Sequence, residues 1–80
     1  MRDGRLDEAI ELLTRDLRDR PGDAAALYNL ACAEARGGRS ADALEHLRAA
    51  LAAVPAYAER ARVDPDLDSI RGEPGFPRVD

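Results

Sequence analysis

Two stretches of this chain repeat each other at an offset of 34 residues. Arg2, Gly4, Arg5, Ala9, Glu11, Leu13, Leu17 and Pro21 recur as Arg36, Gly38, Arg39, Ala43, Glu45, Leu47, Leu51 and Pro55. A fixed period of this length is the mark of stacked supersecondary units, each burying its apolar face only against the next. It predicts a scaffold whose function lies in its surface.

The repeat unit reads as two helices. Leu6, Ala9, Ile10, Leu13 and Leu17 follow the i, i+3, i+4, i+7 pattern of one apolar helix face over residues 5–20. Asp7 and Glu8 suit its first turn, and Pro21-Gly22 stops it. A second helix over 24–36 opens on Asp23 as cap and closes on Gly37-Gly38. Leu27, Leu30, Ala31 and Glu34 form its inner line, with Ala35 alongside. A third helix, 41–53, is expected to be capped by Ser40, with Ala43, Leu44, Leu47, Ala50 and Leu51 as its stripe. The short loops force neighbouring helices antiparallel. Beyond Pro55 the pattern decays to a short helix at 57–63. Asp64-Pro65 then caps a last turn or two over 65–71, and a Gly- and Pro-rich tail follows. Leu67, Ile70 and Phe76 are expected to fold back over the end of the third and fourth helices.

Composition bounds the rest. Eighty residues allow one small domain. Sixteen of them are Ala and none is Trp, so large apolar side chains are scarce. Small single cores rarely supply more than about 3–5 kcal/mol. The net charge of −4, with both signs mixed, disfavours nucleic-acid binding. All 12 basic residues are Arg, which reads as genome composition. One Cys forms no internal disulfide. With neither a signal peptide nor an 18-residue apolar run, no membrane is expected and the cytoplasm is the default compartment.

The segment from Ala24 to Pro55, AAALYNLACAEARGGRSADALEHLRAALAAVP, resembles one complete tetratricopeptide repeat. Leu27 takes the bulky position of its first helix and Tyr28-Asn29-Leu30-Ala31 follows in the family's order. Gly38 is the turn, Ala43, Leu47 and Ala50 are the small-large-small packing positions, and Pro55 closes the unit. Residues 4–21 resemble the second half of a preceding repeat, and 57–80 a partial repeat, cap and tail. Residues 64–76, DPDLDSIRGEPGF, resemble the ending of many bacterial arrays. The resemblance implies an all-α fragment of a right-handed solenoid, about one and a half repeats with a short C-terminal capping helix. Glu34, Ser40 and Asp16 depart from the family pattern, Asp16 suggesting an open environment around the first helix. The first helix of the first repeat lies outside the sequence. The chain is expected to be either part of a longer array or a short protein that satisfies its first helix otherwise.

The resemblance also implies a concave face that binds a peptide or partner protein, with Ala25, Tyr28, Asn29, Cys32, Arg36 and Arg62 upon it. Asn29 matches an asparagine with which some chaperone-binding relatives hold a C-terminal carboxylate. Their following helix is basic, whereas Glu59 and Val63 stand here, so that clamp is broken. Tyr28 either contacts a ligand or packs on the fourth helix. Cys32 reads as a packing residue rather than a reactive thiol, and His46 as structural. Asp64, Asp66 and Asp68 alternate like the start of a calcium loop, but Pro65 intervenes and no closing glutamate follows, so no metal is expected. No cofactor motif or catalytic constellation emerges, and a non-catalytic interaction module is the leading expectation. Self-association is the second. Leu6, Ile10, Leu12 and Leu13 of the first helix would form an exposed apolar patch that a homodimer could bury.

Overall fold

The computed structural model describes residues 4–77, and these are helical with no strand among them. The order is α1 (Gly4–Asp19), α2 (Ala24–Arg36), α3 (Ser40–Ala53), α4 (Tyr57–Val63), a 3-10 turn (Pro65–Leu67) and α5 (Asp68–Arg71). Expected helix bounds hold within a residue. The expected caps hold at Asp23, which accepts from the Ala26 amide, and at Asp64, which accepts from that of Asp66. The expected Ser40 cap does not form. Ser40 is the first residue of α3, and the preceding Arg39 offers no side-chain cap.

Two tight returns shape the molecule. After α2, the amides of Gly37, Gly38 and Arg39 donate to carbonyls at its end. Gly38 sits at φ +82°, a region where a Cβ is strained. This turn lays α3 back along α2, just as residues 20–23 lay α2 back along α1. α2 is therefore flanked on both sides, and from Ala26 to Ala35 only Asn29 escapes burial. On one flank Ile10 of α1 packs on Leu30 and Ala33, with Leu6, Leu13 and Leu17 alongside. On the other, Leu27, Ala31 and Ala35 meet Ala43, Leu47 and Ala50 of α3. Alanines at these seams let the helix axes approach closely.

The C-terminal segment goes deeper than expected. Leu67 and Ile70 are fully buried and pack against α2 as well as α3, joined by Ala61 of α4. Ser69 Oγ donates to the Ala35 carbonyl at 3.0 Å, a second bond to an acceptor that also takes the Gly38 amide at the end of α2. Arg71 ties the segment to α4 by donating to the carbonyls of Ala61 (3.2 Å) and Asp64 (2.6 Å). Phe76, half-buried, joins the same cluster. The described chain is a slab of 35 × 31 × 17 Å, less than two helix diameters thick. Leu12 and Asp16, on the outer side of α1, are left exposed.

Candidate functional site

The residues expected on a concave face divide into two sets. Tyr28 and Cys32 are buried, at 1% and 8% exposure, where an open groove was expected. The cause is α4 and the 3-10 turn, which lie across that part of α2. Tyr28 thus takes the second of its two readings. Its ring meets that of Tyr57 edge-on, 5.4 Å between centroids at 65°. The Arg60 guanidinium stands 4.7 Å over its face.

Asp64 organises this contact. Its carboxylate accepts from the Tyr28 hydroxyl at 2.9 Å and faces the Cys32 thiol at 3.9 Å. Arg60 Nε lies 3.6 Å from the same oxygen, one helical turn back. The other oxygen takes the Asp66 amide at 3.0 Å. Asp66 in turn sits 3.9 Å from Arg36 Nε. Pro65 restricts Asp64 to an extended backbone, ψ 117°, which points the side chain inward and begins the next turn.

The electrostatics are those of a closed polar seam. Burial, then the hydrogen bond to Asp64, raises the Tyr28 hydroxyl well above the ordinary tyrosine value. Burial and the neighbouring Asp64 charge push the Cys32 thiol up to about 12. Both groups hold their protons to higher pH in the fold than in the unfolded chain, so stability falls as pH rises above about 9. The ligand atoms of Cys32, Asp64 and Asp66 lie within 4.8 Å of one another. Arginines already stand against both carboxylates, and the thiol is held protonated. This is poor preparation for a cation. The thiol should also be inert: folded protein at pH 8 is expected to react with a thiol reagent at least about a hundredfold more slowly than chain in denaturant. Equal rates would mean that α4 does not cover Cys32.

The second set is open. Ala25, Asn29 and Arg36 are exposed along one face of α2, and Arg62 is exposed on α4. Arg60, on the same side as Tyr28, is also exposed. The Asn29 amide has no partner among the described residues. A shallow trough of about 280 Å³ runs elsewhere, lined by Ile10, Glu11, Thr14, Arg15 and Arg18 of α1 alone.

The expected self-association patch is largely spent inside the fold. Ile10 is buried against α2, and Leu6 and Leu13 are half-buried on the same seam. The correction follows from helix rotation: these residues point toward α2. Leu12 points away and remains 55% exposed.

Three participants were not foreseen in the sequence. Asp64 read as a cap and as part of an acidic run set aside as a calcium loop, although Arg60 one turn before it is the spacing of a helical ion pair. Tyr57 carried no signal. Glu34 read as an inner-line residue, yet its partner escaped notice. It is 4% exposed and meets His46 Nδ1 of α3 at 2.7 Å.

No helix among the described residues is long and apolar enough to cross a membrane. No family model, curated protein or solved structure matches this chain.

Proposed function

We propose that the chain is a non-catalytic protein–protein interaction module of tetratricopeptide type, binding an extended polar or acidic peptide across α2 and α4. The observation that carries this reading is Asn29. It is the one exposed residue in an otherwise buried run of α2, and its amide is unpaired among the described residues. Ala25 beside it leaves room for a backbone. Arg36, Arg60 and Arg62 supply donors for carboxylates at the rim. The floor beneath is fixed by Tyr28, Tyr57 and Asp64, so little order has to be created on binding. The repeat offset, with Gly38, Ala43, Leu47, Ala50 and Pro55 in register, supports the same reading.

The test is a charge-reversed face. Asn29→Ala, Arg36→Glu and Arg62→Glu together leave every core residue in place. Capture of binding partners from the native extract is expected to fall about tenfold or more, with an unchanged helical spectrum. Unaltered capture by the folded variant dismisses this face.

A further inference from the structure

Two ion pairs border the face proposed above, and they differ in how firmly each carboxylate is held. Asp64 is locked. Its side chain is 9% exposed, and it accepts from the Tyr28 hydroxyl and the Asp66 amide while facing Arg60. Asp66 is held loosely. It reaches Arg36 Nε at 3.9 Å, the two side chains being 45% and 55% exposed. Among the described residues its carboxylate makes no other hydrogen bond or ion pair. Its backbone is nonetheless fixed, because Pro65 and the Asp64 cap set the turn that carries it.

Arg36 is the last residue of α2 and one of the cations at the rim of that face. Its terminal nitrogens have no partner among the described residues, while its Nε meets a carboxylate of the chain itself. An incoming acid thus finds a guanidinium already facing an anion of the same kind. Two carboxylates against one cation repel each other, so the second binds fully only as the first withdraws. Withdrawal is easy for Asp66, which is already half in water. It is costly for Asp64, which would give up the Tyr28 bond.

We propose that Asp66 is a built-in competitor at Arg36, occupying the cation until a carboxylate of the ligand displaces it. This rests on the peptide-binding reading and adds a regulation of the same site. The face exchanges one acid for another, and its affinity is set by the difference. An exposed pair of this kind is weak, so the competition changes affinity only a few-fold, on the order of two to five.

The probe is a hexaglutamate peptide with blocked ends, titrated into the full chain while the Asn29 side-chain amide is followed by NMR. An ionic strength of about 0.15 M screens charges more than about 8 Å away. Asp66→Asn, at a half-exposed turn position, should keep the helical spectrum and tighten binding about two- to fivefold. In an Arg36→Ala background the same substitution should lose most of that gain, because the competitor then has nothing to occupy. A gain that survives in full without Arg36 is one of net charge alone and overturns the proposal. An Asp66→Asn chain that binds no tighter than the original overturns it equally, and both results leave the peptide face standing. Failure of the original and the Asp66→Asn chains alike to bind the peptide sinks the reading of the face, and the competitor with it.

Discussion

Leu67→Ala is expected to lose about 2–5 kcal/mol, the usual result of truncating a fully buried leucine. A small single core has about 3–5 kcal/mol in total, so most of the cooperative transition should disappear at physiological temperature. Leu67 has no exposed surface and packs where α2, α3 and α4 converge. The cavity left behind has little means of closing, because its walls are helices fixed by the Gly37–Gly38 turn and by the Arg71 hydrogen bonds to α4. Ile70→Ala, at an equally buried site, should behave alike. Val63→Ala is the control, since Val63 is 78% exposed and its truncation should change little. Urea unfolding followed by circular dichroism measures all three. A loss below about 1 kcal/mol at Leu67 would mean that the C-terminal segment is a detachable tail.

His46→Ala is expected to cost about 1–3 kcal/mol at neutral pH, since it leaves the buried Glu34 carboxylate without its hydrogen bond. Burial raises the Glu34 carboxyl above the ordinary glutamate range, and the His46 hydrogen bond pulls it part of the way back. The folded state thus holds this proton to higher pH than the unfolded chain does. Between those two values stability falls as pH rises, and it returns as pH drops. Without His46 the carboxyl rises further, so the pH range over which stability falls should extend upward in the variant. Replacing both partners with apolar residues, Glu34→Met with His46→Leu, should be close to neutral or stabilising by about 1–4 kcal/mol. A His46→Ala deficit that does not change with pH would show that the loss is one of packing, not of charge.

The two expectations bear on what could be read from residues alone. Helix bounds were legible because they rest on local chemistry. Asp23, Gly38, Pro55 and Pro65 act within one turn of their own position, and apolar spacing names the face of each helix. The buried run of α2 was half legible. Leu27, Leu30 and Ala31 announced an inner line, but nothing in the run said that a second flank and a lid would cover Tyr28 and Cys32. The Glu34–His46 contact joins residues on different helices, and no local rule couples them. Leu6, Ile10 and Leu13 were recognisable as a stripe. Whether the stripe met α2 or solvent depended on which way α1 turned once docked.

Capping, helix period and the recurrence of residues 2–21 at 36–55 are properties of short segments, and they determined an all-helical chain of related units. Which polar groups are paired, and which faces stay open, is set by distances between segments far apart in sequence. Asp64 meets Tyr28 across 36 positions, and the Cys32 thiol is pushed up by burial and then by the same carboxylate. Desolvation and Coulomb attraction act through space, so only the packed helices could decide that Leu12 stays exposed on α1 while Ala43 and Ala50 of α3 are sealed.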